Sequence, residues 1–531
     1  MKDKGPCIRH KVPAPDAGRC ITEYAGAFRR KEMAEYVLGI DQSTQGTKAI
    51  LFNLEGRIVS RVTFAHRQII NDKGWVSHDL NEIWKNTVES VKQVVEKAGI
   101  DKGEIRTVGI SNQRETSAAW DRESGEPVCD AIVWQCSRAK NIAERIESFG
   151  NGEMVREKTG LKLSPYFPAA KWAWIFENVP DVRNRALEGK ICVGTIDSWL
   201  VYKMTEGKEF RTDYSNASRT ELFNLKTLTW DKELLNLFGI PESCMAEITD
   251  SNGFYGSTTF DGYLDRPISI HGVMGDSHAA LFGQDCRKPG MVKSTYGTGS
   301  SIMMNTGSKP VFTKNGIVTS LAWSLDGKVS YVLENNINYT GAVITWLKDD
   351  LHMISSPGET EEICRQANPI DTTYLVPAFS GLGAPYWDSE AKATITGMTR
   401  TTGRNEIVKA GVESIAYQIT EAVNLMQEAA NPGNDPDGIR ISQLRVDGGP
   451  TRNGYLMQMQ SDLLDLPVCV PDAEELSAIG AAYAAGLAEG FYDETVFGSM
   501  KRKNFEPVMD QETRSRKMTG WKAAVSRTIS R

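Results

Sequence analysis

The stretch YVLGIDQSTQGTKAILF, Tyr36–Phe52, decides the fold. An apolar run, Tyr36–Ile40, ends in Asp41; a polar turn, Gln42–Thr47, reverses the chain into a second strand, Lys48–Asn53. Glu55-Gly56 marks a tight turn, and a third strand opens at Arg57. Strand, polar turn, strand, tight turn, strand is a β-meander, because such short connections leave no room for the crossover helix of a βαβ unit. Helical periodicity follows over Leu80–Ala98, and strands are expected at Ile105–Ser111, Ser117–Asp121 and Ile191–Ile196 with helices between them. Sheet alternating with helix places the chain in the α/β class.

The pattern then restarts. Gly290–Tyr296 reads as a strand, Gly297–Ser300 as a glycine-rich turn and Ser301–Asn305 as the returning strand. Further strands are expected near Thr319–Ser324 and Val329–Glu334, and a helix from Tyr339. Two meanders, each with a polar or glycine-rich first turn, predict two related domains, 36–285 and 286–531. Residues 1–35 are mixed in charge, lack periodicity and lack the apolar core of a secretory signal, so they are expected to form a tail with no part in the fold.

Composition narrows the partners. The 531 residues carry Lys+Arg 61 against Asp+Glu 68, a net charge of −7, with 40% hydrophobic and 24% charged residues. These are ordinary globular values, and the acidic balance argues against a nucleic-acid partner. No apolar run approaches the ~20 residues of a membrane span. Nine scattered cysteines without a C-x-x-C pair form neither a disulfide framework nor a zinc pattern, which points to the cytoplasm.

Five motifs carry chemistry. In Asp41–Lys48 (DQSTQGTK) a strand ends in an acid and a hydroxyl-rich turn follows, a shape that aims backbone N–H groups at phosphate oxygens. Asp41 is placed to hold Mg²⁺ through water, since Mg²⁺ dehydrates reluctantly, and Lys48 to neutralise phosphate charge. Tyr296–Ser300 (YGTGS) is the equivalent turn of the second meander; two such turns predict a nucleotide between the domains. Val446–Asn453 (VDGGPTRN) leads a strand through glycines into a helix, where backbone can approach a base or α-phosphate closely and Asn453 can hydrogen-bond adenine. Gly275–Gly283 (GDSHAALFG) offers Asp276 as a general base; His278 beside it faces an apolar helix start. Asn112–Thr116 (NQRET) sets Arg114 and Glu115 at a strand end, where a donor fork and an acceptor can bind several hydroxyls or simply pair with each other. Trp134 and Tyr166 could add an apolar wall and a hydroxyl, or pack in the core.

The chain resembles the FGGY carbohydrate kinases from about Tyr36 to Tyr492. The stretches GIDQSTQGTKAILF, GWVSHD, SNQRET, AIVWQCSR, DYSNASRT, STYGTG, VPAFSGLGAPYWD and VDGGPTRNGYLMQMQSDLL carry the likeness, with Tyr166–Asn178 (YFPAAKWAWIFEN) similar to a family signature. The resemblance implies two ribonuclease H-like domains of the actin and hexokinase type flanking a cleft, with the polyol on the first and MgATP on the second. It implies Asp276 as catalytic base, Asp41 with Asp276 on the metal side, and Arg114, Glu115, Trp134, Tyr166, Asp276 and Ser277 around the polyol. Thr44, Gln45 and Lys48 would meet phosphate, and Thr298, Gly341, Gly449 and Asn453 the nucleotide. The implied activity is ATP-dependent phosphorylation of a terminal hydroxyl, with glycerol the expected acceptor and a tetritol, pentitol or ketose the alternative. A homodimer or homotetramer is the family habit.

The departures fall in the pocket. Glycerol-acting members read Gly-Asp-Gln-Gln where this chain has Gly275-Asp276-Ser277-His278, and a pocket-closing phenylalanine corresponds to Ser301. Both changes imply a larger, more polar pocket. Thr258–Pro267 lacks the glycine-rich basic pattern associated with inhibition by fructose 1,6-bisphosphate. A chaperone-like ATPase of the same fold would share the two turns but need no hydroxyl pocket, and Arg114-Glu115 with Trp134 and Tyr166 speaks against it. A sugar sensor without catalysis would not need Asp276 and Asp41.

Overall fold

The computed structural model describes residues 35–314 and 316–530. The expected leading tail, residues 1–35, lies outside them except for Glu35. The first meander forms as β1 (Tyr36–Gln42), β2 (Gly46–Phe52) and β3 (Ile58–Ala65), followed by α1 (Leu80–Ala98). The Asp79 side chain accepts from the N–H groups of Asn81 and Glu82 to start α1, and Gly99 at φ 65° ends it, a left-handed cap that glycine adopts without strain. Leu80, Ile83, Trp84, Thr87, Val88, Val91, Val94 and Val95 form the buried stripe that binds α1 to the sheet. The sheet is completed by β4 (Ile105–Asn112), β5 (Ser257–Thr258) and β6 (Ile268–Gly275), and α2 (Asp276–Gly283) follows directly from the end of β6. The spatial order is β5-β6-β4-β1-β2-β3.

The second sheet contains β7 (Val292–Tyr296), β8 (Ser300–Gly307), β9 (Val318–Leu325), β10 (Lys328–Ile337), β11 (Leu444–Asp447), β12 (Val468–Pro471) and β13 (Arg502–Phe505). Its order is β9-β10-β8-β7-β11-β12-β13. Around β1 and around β7 the pairings match: two antiparallel neighbours on one side, two parallel ones on the other, then an antiparallel edge strand. The sequence order of the second meander misleads at one point. The strand beside β8 is β10, and β9, which comes first in the chain, lies outside it as a hairpin partner. The strand expected over Ile191–Ile196 is shorter, Ile191–Gly194, because helix begins at Ile196.

Long helices cover the second sheet, notably α3 (Arg404–Ala430) and α4 (Gly454–Leu464), whereas α5 (Leu476–Ala488) crosses to the first. There α5 packs on β1, β4 and β6 and against α2. Absent side chains permit this: a Cβ on Gly480 would lie 1.8 Å from the Ala279 carbonyl oxygen, and one on Gly109 2.2 Å from that of Ala481. Val37, Ile50, Phe52 and Met274 from the first half share one core with Met303, Trp323, Leu476, Ile479 and Tyr483 from the second. The two sheets therefore meet through one apolar joint, and their strand ends open on a common cleft. Among the described residues no helix is long and apolar enough to cross a membrane, and seven cysteines are free.

Candidate active site

Asp41 ends β1 beside Ser111 of β4, whose Oγ donates to Asp41 Oδ1 at 3.0 Å. Burial pushes its carboxyl up to about 6, against the opposing pull of Lys48, whose Nζ is 3.7 Å away. The turn after it is pinned by Gln113, which donates its backbone N–H to the Gln42 carbonyl at 2.6 Å. Gly46 is required there, since a Cβ would lie 2.4 Å from the Phe64 carbonyl oxygen of β3. Thr44 Oγ1 accepts from Trp134 Nε1 at 2.9 Å, while Gln45 is exposed at the tip. The Lys48 ammonium reaches the opposite half of the molecule, 2.6 Å from Glu475 Oε2 at the start of α5.

Asp276 opens α2 at the end of β6. Its Oδ1 accepts from Ser277 N–H at 2.6 Å and lies 3.2 Å from Arg114 Nε. Neither of these contacts uses Oδ2, and about a third of the side chain is exposed (36%). Arg114 directs its two terminal nitrogens at Glu334 of β10, at 2.8 and 2.9 Å. Arg219 joins the same carboxylate at 3.0 Å and reaches Glu115 at 2.6 Å. The four charges are all buried. Burial alone would raise the Glu334 carboxyl, but Arg114 and Arg219 hold it well below the usual range. Tyr166 packs edge-on against Trp134 with ring centroids 5.7 Å apart, and burial together with Glu115 raises its phenol.

On the second half, the turn Gly297–Gly299 and the start of the helix at Gly341 are tied by Gly341 N–H to the Gly297 carbonyl at 2.9 Å. Gly448 adopts φ 98°, and a Cβ there would lie 2.0 Å from the Tyr296 carbonyl oxygen. A cavity of about 640 Å³ is lined by Thr298, Gly341, Gly449 and Asn453 with the apolar Ile344, Val412 and Leu456. A second, of about 820 Å³, shares Gly449 and Arg452 with it and runs to Asp41 and Lys48.

Residues 36–283 match the N-terminal domain, and residues 292–489 the C-terminal domain, of the FGGY family of carbohydrate kinases. The chain belongs to this family. It is 45% identical over 500 residues to a glycerol kinase of Caldanaerobacter subterraneus subsp. tengcongensis, covering 94% of this chain and 99% of that one. The crystal structure of Plasmodium falciparum glycerol kinase with ADP is similar at TM-score 0.87 and 33% identity, covering 94% of this chain and 99% of that chain. A xylulose kinase from Lactobacillus acidophilus shares the fold at TM-score 0.80 and 19% identity, with 93% and 97% covered.

In this FGGY kinase the residues singled out in sequence fall into two groups along one cleft. Asp41 meets Lys48, Thr44 meets Trp134 and through it Tyr166, and Arg114, Glu115, Asp276 and Ser277 join through Glu334 and Arg219, while Thr298, Gly341, Gly449 and Asn453 line one cavity. Arg114 and Glu115 do not pair with each other; each is held by a partner distant in sequence. The Asn453 amide is engaged locally, accepting from Leu456 N–H at 2.9 Å as the cap of α4 and donating to Thr360 at 3.0 Å. His278 is buried against Ser320, 3.3 Å from its Oγ, and burial with Arg114 drives its pKa well down, so it stays neutral behind the cleft.

Glu334, Arg219, Glu475 and Lys171 escaped sequence reasoning. Arg219 lies within DYSNASRT and Lys171 within YFPAAKWAWIFEN, so for these two the quoted motifs held a signal that was not used. Lys171 is fully buried, donating to the carbonyls of Glu115, at 3.1 Å, and Tyr166. Burial lowers its pKa to about 7.

The state of Asp41 leads to a prediction of opposite signs for stability and activity. Its folded pKa of about 6 exceeds the reference value 3.8, so the folded state binds the extra proton and stability falls as pH rises between those values. Asp41→Asn should therefore be more thermostable than the parent above about pH 6, with the gap closing below about pH 4. The same variant should lose most activity, and the parent's kcat/KM for ATP should decline below about pH 6. Thermal melts across pH 4–8 and a pH–rate profile check both; equal melting curves would contradict the burial cost.

Proposed function

We propose that this protein transfers the γ-phosphoryl group of ATP to a terminal hydroxyl of glycerol, giving glycerol 3-phosphate. One observation carries the reading: the half-open Asp276 carboxylate stands where the Arg114–Glu115–Trp134–Tyr166 wall meets the Asp41–Lys48 turn. Asp276 Oδ2 takes the proton of the terminal hydroxyl as the hydroxyl oxygen attacks the γ-phosphorus in line, the bond from that phosphorus to the bridging oxygen breaks and ADP leaves. Arg114 Nε fixes the carboxylate, and the buried charge network holds Arg114. Lys48 balances phosphate charge once nucleotide phosphates compete with Glu475 for its ammonium. The apolar floor of the 640 Å³ cavity suits the adenine ring, and the bare backbone at Gly448-Gly449 admits phosphate oxygens. In this reading residues 36–285 bind the polyol and residues 286–531 the nucleotide.

Mg²⁺ belongs to the same proposal. Among the described residues no group of three or more His, Cys, Asp and Glu side chains could cage a metal. Asp41 and Asp276 nevertheless stand at strand ends of the same sheet, close enough that the Asp276 charge adds to the burial that raises the Asp41 carboxyl, a pair of hard oxygen ligands suited to a cation that keeps its waters and takes phosphate oxygens. When bound, Mg²⁺ would neutralise charge on the β- and γ-phosphates. The free cysteines suit a reducing cytoplasmic setting.

Acceptor dependence tests the reading. ADP should appear only when glycerol and Mg²⁺ are both present, and EDTA should stop it. ADP release at an unchanged rate without acceptor would instead favour a chaperone-like ATPase.

A further inference from the structure

Lys171 sits behind the proposed polyol wall and has no part in the transfer steps derived above. It belongs to the first turn of the helix Pro168–Asn178, is fully buried, and directs its ammonium at two backbone carbonyls, that of Glu115 at 3.1 Å and that of Tyr166. The same ammonium stands 5.9 Å from the centre of the Tyr166 ring. The carboxylates whose charge reaches it are held elsewhere: Glu115 by Arg219 at 2.6 Å, and Glu221 by the Ser164 N–H at 3.0 Å. A cation buried near the positive end of a helix, with its neighbouring carboxylates bound to other groups, is costly. An apolar side chain of the same length would avoid that cost, so stability alone does not account for a lysine at this position.

The backbone that the ammonium holds is strained where the wall begins. Glu115 adopts φ 59°, and the Thr116 N–H closes a three-residue turn around it by donating to the Arg114 carbonyl at 2.8 Å. Such a turn keeps its shape only where surrounding contacts fix it. Two donors do so here, since Ser117 Oγ and Lys171 Nζ both reach the Glu115 carbonyl at 3.1 Å. Tyr166 comes from a separate segment, fixed at one end by Glu221 on Ser164 and at the other by Lys171 on Tyr166 itself. One side chain therefore joins the turn that aims Arg114 and Glu115 to the loop that carries Tyr166.

We infer that Lys171 is a positioning residue for the acceptor: by clamping the Glu115 and Tyr166 carbonyls together, its ammonium sets the spacing of those two side chains across the polyol. The inference rests on the kinase reading above. Without the clamp the Glu115 turn relaxes and the Tyr166 loop shifts against it, so the polyol meets both side chains at the wrong distance. The cavity proposed for the nucleotide is lined from the other half of the molecule and does not sense the change.

Lys171→Met keeps the length of the side chain and removes the amine. Its glycerol KM should rise roughly tenfold or more, while kcat at saturating glycerol and the KM for ATP stay within about threefold of the parent. The pH dependence gives a second readout. Burial lowers the Lys171 amine to about 7, and the charged and titratable groups facing it are Glu115, Glu221, Cys136, Arg138 and the Tyr166 phenol ring. As the ammonium loses its charge between about pH 7 and about pH 9, the parent's glycerol KM should climb severalfold and that of Lys171→Met should stay flat. Stability should move the opposite way. The unfolded chain, with its lysine at 10.5, still binds the proton that the folded chain has released, so the parent's melting temperature should rise relative to the variant over the same range. Unchanged glycerol KM in the variant, a loss shared equally by glycerol and ATP, or a parent glycerol KM that is flat across that range would overturn the clamp and leave the kinase reading standing. The last of these decides the matter even if Lys171→Met fails to fold. A parent protein that forms no ADP in response to glycerol would overturn both.

Discussion

Asp276→Asn should lower kcat for phosphoryl transfer by roughly 10³-fold, within the 10²–10⁴ that a positioned general base supplies. The substitution keeps shape and retains a side-chain oxygen for Arg114 Nε, now 3.2 Å from Oδ1. It removes the carboxylate proposed to take the proton. The cavity proposed for the nucleotide lies on the other half, lined by Thr298, Gly341, Gly449 and Asn453. ATP affinity should therefore change by less than about threefold, a difference of under 1 kcal/mol. Single-turnover rates paired with ATP titration separate the two effects. Unchanged turnover would remove Asp276 from the chemistry, and a joint loss of binding and rate would recast it as a nucleotide ligand.

Glu334→Ala should destabilise the protein by about 3–5 kcal/mol, the usual consequence of deleting one partner from a buried charge network. Among the described residues, Glu334 is the second-half carboxylate that Arg114 and Arg219 share, and both guanidiniums are buried. Without it, Arg219 keeps Glu115 and Arg114 keeps only the part-exposed Asp276, toward which it is free to pivot. Glycerol KM should therefore rise along with the loss of stability. The pH dependence carries a signature. A carboxyl held well below its reference value of 4.5 contributes stability that is complete above that value and is lost as pH falls through the depressed folded value. The gap between parent and Glu334→Gln should be full at pH 7 and narrow below about pH 4. Denaturant melts at both pH values check this, and a gap independent of pH would assign the role to packing.

The part of the fold legible in sequence was the part encoded locally. Asp41 and Asp276 stand at strand ends that hydrophobic runs and turn residues announce, and the α1 limits follow from Asp79 and Gly99. The repeat was visible because both halves reuse the same strand–turn–strand chemistry. The swap of β9 and β10 was not, since neighbour order within a sheet depends on pairing that local pattern does not encode. The charge network was hidden for the same reason. Arg114 and Glu334 are 220 positions apart, and nothing in NQRET states that its fork is spent on a carboxylate from the other half. Lys48 likewise meets Glu475 only because α5 crosses to the first sheet, through glycine contacts that sequence alone does not place.

Transfer of a phosphoryl group to a polyol hydroxyl between these two walls leaves its own product. Product analysis by ³¹P NMR, after incubation with MgATP and glycerol, tests it most directly. A phosphate monoester on a terminal glycerol carbon should form in one-to-one ratio with ADP. ADP accompanied by inorganic phosphate, with glycerol unmodified, would contradict it.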